Sequence, residues 1–273
     1  MKRVINFMGI RHAAFAVTVL LTLVSLGSLA VKGLNFGLDF TGGALIELNY
    51  EQPADLAKVR GQLAEAGYGD ALVQHFGATT DVVVRLQGDD PQLGNRLAAD
   101  LDKVSAEQFS VKRVEFVGPA VGEELRDQGG LGMLLALGGI LIYVAFRFQW
   151  KFGFGAIVSL IHDVVVTLGI LSFFQITFDL TVLAAVLAVI GYSLNDTIVI
   201  FDRIRENFRM LRKAELLENI NISTTQTLLR TMATSVSTLL AVGALMVFGG
   251  ENLWGFSLAL LIGVAAPSFH IWT

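Results

Sequence analysis

The chain has no cysteine, four prolines and four histidines in 273 residues. Without cysteine there is no disulfide framework, thiolate metal site or thiol nucleophile. Charge is scarce too: 16% of residues are Asp, Glu, Lys or Arg, against about 25% in an ordinary soluble domain. The sequence holds no phosphate loop of the Walker type, no HExxH and no nucleophile elbow. The motifs of nucleotide hydrolysis, zinc proteolysis and serine hydrolysis are therefore missing. No enzyme activity, metal or cofactor is expected, and no catalytic residue is assigned.

What is present is largely apolar: 53% of residues are hydrophobic and the mean hydropathy is +0.62. The apolar residues crowd into one run near the N-terminus and a long block after residue 130. Residues 33–128 read instead as a soluble domain, with 16 acidic and 8 basic residues, a net of −8 in a chain of net −4. An acidic domain gives no reason to expect nucleic acid.

Spanning helices are expected at 13–32, 130–147, 152–174, 180–201, 230–248 and 253–272. Each is long enough to cross a bilayer at about 1.5 Å per residue. Helices satisfy their backbone internally, which lipid demands. The first run, Ala13 to Val31, follows Lys2, Arg3 and Arg11. A cleavable signal peptide is the alternative there, with Ser28 and Ala30 mimicking a cleavage site. Three domains follow: residues 1–32, residues 33–128, and a five-helix block at 129–273 with a cytoplasmic segment at about 202–229.

Short loops rich in Lys and Arg stay cytoplasmic. Lys2, Arg3 and Arg11, then Arg147 and Lys151, then Arg203, Arg205, Arg209, Arg212 and Lys213 fall on one side if both termini are cytoplasmic. The loops around 174–179 and 249–252 carry no basic residue. Residues 33–128 then face outward. Residues 203–219, with Ile204, Phe208, Leu211 and Leu216 at helical spacing, read as an amphipathic surface helix or as a solvated connector.

The outer domain reads as strand, helix, strand, twice over. Ala44–Tyr50 alternates as a half-buried strand, and Leu56, Val59 and Leu63 form a helical stripe after Pro53. Residues 71–77 and 81–86 are two more strands. Leu93, Leu97, Leu101 and Val104 line a second helix from Pro91, and 110–117 is the last strand. That order suggests a ferredoxin-like α+β fold. His75 is expected to pack structurally, and Gly42-Gly43 in FGLDFTGG to form a turn.

Four polar groups inside the apolar block need explaining, because charge in a bilayer is expensive. Ser193, Asp196 and Thr197 share a face of the fourth span, with Asn195 about 100° away. Arg230 opens the fifth span in a stripe with Thr227, Thr234 and Thr238. His162 and Asp163 lie near the middle of the third, where Asp163 continues Ser159 and Thr167 at a spacing of four. An Asp196–Arg230 pair is either a proton-responsive switch, since burial and a nearby cation pull an aspartate in opposite directions, or a static clamp. The same two readings hold for His162 and Asp163.

Several motifs resemble the SecD/SecF family. FGLDFTGG at 36–43 is similar to the signature after the first helix of SecD and SecF proteins. VEFVGPAVGEEL at 114–125, HDVVVTLGILS at 162–172, LTVLAAVLAVIGYSLNDTIVIFDRIREN at 180–207 and TQTLLRTMATS at 225–235 resemble the SecF branch. The resemblance implies half of an RND-type assembly with SecD in a bacterial inner membrane. It would help the Sec channel (SecYEG), with YidC possible nearby, to export preproteins on the proton-motive force. It further implies a proton path through Asp196 and Arg230; Asn195 and Ser193 lie nearby, and the polar stripe of the third span adds His162 and Asp163 as secondary candidates. Membrane lipids are the remaining partner. One departure concerns the last helix, where LALLIGV runs into AAPSFHIWT. Pro267 is expected to interrupt it, leaving it short or altered, with His270 and Trp272 as interface anchors. An RND-type small-molecule or lipid transporter half and a non-transporting translocon scaffold are the rival readings.

Overall fold

The computed structural model describes residues 4–105, 107–148, 150–211 and 215–270. The elements run α1 (Arg11–Lys32), β1 (Asn35–Phe36), α2 (Leu38–Thr41), β2 (Gly43–Tyr50), α3 (Leu56–Glu65), β3 (Leu72–Phe76), β4 (Ala78–Leu86), α4 (Leu93–Val104), β5 (Phe109–Val117), α5 (Pro119–Arg147), α6 (Trp150–Phe173), β6 (Thr177–Phe178), α7 (Leu180–Met210), α8 (Leu216–Phe248) and α9 (Glu251–His270). They form two compact units, one of residues 36–132 and one of 1–35 with 133–273.

The smaller unit holds a four-stranded antiparallel sheet in the order β3-β4-β2-β5. Every second residue of β2 faces one way, so Ile46, Leu48 and Tyr50 enter a core with Val59 and Leu63 of α3, Leu97 and Leu101 of α4, and Val73, Val82 and Val84 of the neighbouring strands. Asp55 caps α3 by accepting from the Ala57 amide at 2.8 Å, which satisfies one orphan donor of the first turn. The opposite face is polar. Asp81 accepts hydrogen bonds from Asn49 and from Lys112 Nζ, the latter at 2.9 Å. The Gly42-Gly43 pair is the expected turn: φ is +65° and +109°, and a Cβ on Gly43 would sit 2.3 Å from the Leu86 carbonyl oxygen. Only glycine enters that left-handed region without strain. His75 is exposed rather than packed; it sits at the end of β3, where the register against β4 shifts between His75 and Phe76.

The larger unit is helical. Among the described residues, five helices are long and apolar enough to cross a membrane: Phe7–Lys32, Pro119–Arg147, Phe152–Phe173, Leu180–Met210 and Leu216–Phe248. A shorter apolar helix covers Leu253–Ala265. Small residues let helices approach closely. A Cβ on Gly169 of α6 would meet the Ser25 backbone of α1 at 2.5 Å, and one on Gly263 of α9 would fall 2.1 Å from Val189 of α7. Ser28 and Ser172 join α1 to α6 through a 3.0 Å hydroxyl bond.

Three expectations need correction. Among the described residues of 203–219 there is no separate surface helix. α7 runs on to Met210 and α8 starts at Leu216, so both apolar helices extend past their spanning lengths and Ile204 is buried in their packing. The helical backbone of α9 continues through Pro267 to His270, since proline loses only its own amide bond and can leave the helix running. α5 begins at Pro119, eleven residues before the expected start of that span. Trp272 lies outside the described residues.

Candidate functional site

The polar residues of the third to fifth spanning helices lie along α7, at its seams with α6 and with α8. Asp163 of α6 has no exposed surface. Its Oδ2 accepts from Ser193 Oγ of α7 at 2.5 Å, and its Oδ1 lies 3.3 Å from His162 Nδ1. Thr167, one turn on, donates its hydroxyl to the Asp163 carbonyl at 2.7 Å. A hydroxyl facing a buried carboxylate is a strong, short contact, so Asp163 is a fixed acceptor that ties α6 to α7.

Asp196 lies one turn beyond Ser193 on the same flank of α7 and is 3% exposed. Across the α7–α8 seam, Tyr192 donates to Ser235 Oγ at 2.9 Å. The two helices run antiparallel, and one turn back along α8 from Ser235 lies Thr231. Thr231 is buried and its hydroxyl has no partner. Arg230 is exposed on the adjacent flank. Its charge acts on Asp196, but no ion pair joins the two side chains. The physical reason is the helical period. The buried stripe of α8 is Ser223, Thr227, Thr231 and Ser235, spaced by four, which turns Arg230 about 100° away. Asn195 is exposed beside it. Together they line an open cleft of about 510 Å³ with Asp202, Arg203, Glu206 and Gln226.

Two features escaped the sequence reading. The first is a polar ladder past the spanning lengths of α7 and α8. Asn207 donates to Ser223 Oγ at 2.8 Å and to Gln226 Oε1 at 2.9 Å, Arg203 Nε donates to Gln226 Oε1 at 2.6 Å, and Ser223 bonds Asn219. The only signal was the clustering of amides and hydroxyls at 219–227. The second is the N-terminal segment: the Ile5 and Met8 amides donate to Thr225 Oγ1 and Asn221 Oδ1 of α8 at 3.1 and 2.9 Å.

Two family models match the sequence: "Protein export membrane protein SecD/SecF, C-terminal" over residues 97–270, and "SecD/SecF GG Motif" over residues 27–54. The first alone covers more than half of the chain. The chain belongs to the SecD/SecF protein-export family. Among curated relatives of this SecD/SecF-family chain, the protein translocase subunit SecF of Pseudomonas aeruginosa is 70% identical over 97% of the chain and 87% of the relative. That of Vibrio alginolyticus is 47% identical, over 98% and 86%. The crystal structure of SecDF from Thermus thermophilus, described as a translocon-associated membrane protein, superposes with a TM-score of 0.89 at 37% identity. That match takes in 99% of this chain and 37% of the SecDF chain. A second SecDF structure, in a super-membrane-facing form, gives 0.72 at 36% identity, over 100% and 38%. The SecD/SecF-family chain thus spans little more than a third of each SecDF chain. It is a multi-pass membrane protein.

Proposed function

We propose that this chain is the SecF-type half of a complex with SecD that assists Sec-dependent protein export across a bacterial inner membrane on the proton-motive force. The observation that carries the reading is Asp196, a buried carboxylate of α7 in a chain 70% identical to a protein translocase subunit. A buried carboxylate within reach of a cation responds to protonation, because the charged form is stabilised by the cation and penalised by burial. Arg230 and Asn195 face out of the chain beside it. We assign that face to SecD, whose matching helices would complete the proton path. Ser193 and Asp163 hold α7 in register for it, with His162 flanking.

On this reading the Leu253–Ala265 segment belongs to a sixth span and both termini are cytoplasmic. Residues 33–128 lie on the periplasmic side as a ferredoxin-like domain, supported by the sheet order β3-β4-β2-β5 with two helices on one face. The chain itself does no covalent chemistry. SecYEG, YidC, the exported chain and membrane lipids are its further contacts.

The test is release of a secreted protein from vesicles that carry SecD with either wild type or Asp196→Asn. Loss of the proton-driven component, at unchanged protein level and SecD association, is the expected result. Normal release would leave Asp196 as a packing device and favour a scaffold.

A further inference from the structure

We propose that the groove at the C-terminal end of α7, beside the α5–α6 turn, binds the phosphate of an anionic phospholipid headgroup through Arg205 and Arg209. The groove holds about 480 Å³ and is lined by Arg147, Asp202, Arg205, Glu206, Arg209 and Met210. Its two carboxylates are already engaged. Asp202 accepts from Arg147, and Glu206 accepts from Arg203 at 2.6 Å. Arg205 and Arg209 make no hydrogen bond or ion pair within the described residues. They stand one turn apart, so their guanidinium groups share a flank of the helix and leave their donors open to a single anion. A planar guanidinium fork matches phosphate oxygens in pairs.

The depth of the groove points to lipid. Phe201, one turn before Arg205, packs edge-on against Phe148 and Phe152, with ring centroids 6.1 and 5.4 Å away. This sets Phe201 level with the turn between α5 and α6 and puts Arg205 and Arg209 one and two turns further along α7. At that turn Trp150 is 78% exposed, and exposed tryptophan rings mark the headgroup layer. Met210 and Phe208 also present apolar surface beside the cations. A ligand with a phosphate and acyl chains satisfies both surfaces, whereas a soluble phosphate satisfies one. Basic pockets at the ends of spanning helices are a general way to hold such headgroups. The proposal requires only that the chain spans a membrane, so its failure leaves the export role untouched.

The experiment is native mass spectrometry of the delipidated full chain in detergent, titrated with phosphatidylglycerol or phosphatidylcholine. Wild type should retain phosphatidylglycerol preferentially. The pair Arg205→Gln and Arg209→Gln should weaken that binding roughly thirtyfold, about fivefold per arginine at an anionic surface. Phosphatidylcholine binding should not change, and the pair Arg205→Lys and Arg209→Lys should lie between. Equal binding of the two lipids by wild type, or full binding by the glutamine pair, overturns the proposal. Displacement of phosphatidylglycerol by millimolar inorganic phosphate would assign the groove to a soluble anion and also overturn it. Should the glutamine pair fail to fold, a salt titration of wild type decides: the preference must weaken as salt rises, and a salt-independent preference refutes the site.

Discussion

Ser193→Ala removes one oxygen, and the structure says what that oxygen does. Ser193 Oγ donates to Asp163 Oδ2 at 2.5 Å, between side chains that are 2% and 0% exposed. In soluble proteins a hydrogen bond to a charged group contributes about 1.5–3 kcal/mol. Between helices in lipid the average is about 0.6 and the maximum about 1.7 kcal/mol, because separated helices find other partners. Both side chains are fully buried, where a polar group left without its partner costs more than at an exposed site. The upper end of the membrane range therefore applies, about 1.5 kcal/mol, which is roughly tenfold in the unfolding equilibrium. The assay is a double-mutant cycle of Ser193→Ala, Asp163→Ala and the double variant, each unfolded reversibly from mixed micelles. A cycle isolates the pairwise contribution from the loss of each side chain alone. A coupling below about 0.3 kcal/mol, half the usual value for such bonds, would refute the view that this bond ties α6 to α7.

Gly169→Val should loosen α1 from α6, because even a Cβ there meets the Ser25 backbone at 2.5 Å. Overpacking of this kind costs about 1–3 kcal/mol, read as a lower thermal midpoint and faster proteolysis of the first helix. In the smaller unit, burial alone would raise the Asp81 carboxyl, but hydrogen bonds from Lys112 and Asn49 outweigh it and hold the group below its usual range. A depressed carboxyl contributes stability above its unfolded value and loses it as pH falls through the folded one. Asp81→Asn should therefore flatten the acid limb of the unit's unfolding, followed by circular dichroism. An unchanged acid midpoint would remove Asp81 from the pH response.

Much of this was legible in the sequence, for reasons that differ by element. The alternation of Ile46, Leu48 and Tyr50 and the stripes through Leu63 and Leu97 placed the strands and helices of the smaller unit, because one buried face leaves a clear period. Ser193 and Asp196 were read onto one face of α7, and both are buried. The same rule failed for Arg230. Its stripe with Thr227 and Thr234 mixes spacings of three and four, and the packing selected the strict spacing of four through Thr231. The ends of α7 and α8 were misjudged because hydropathy stops at the membrane surface while the backbone need not. Beyond that surface it is the amide of Asn207, bonded to Ser223 and Gln226, that holds the helices together, and polar residues leave no hydropathy signal. The bond from Ser193 to Asp163 joins residues thirty apart, a pairing that no local period contains.

The long α7–α8 hairpin changes what a displacement at Asp196 would accomplish. α7 has 31 residues and α8 has 33, or about 46 and 50 Å, against a hydrocarbon layer of about 30 Å. The excess is clamped by Asn207 and Ser223, neither of which titrates and both of which are buried. Acid and salt therefore leave the clamp closed while they act on carboxylates elsewhere. The hairpin behaves as a stiff pole gripped at one end. On the proposed function, a tilt that starts beside Asp196 would be carried along these helices beyond the lipid, and the amides of Ile5 and Met8, bonded to α8, would travel with it.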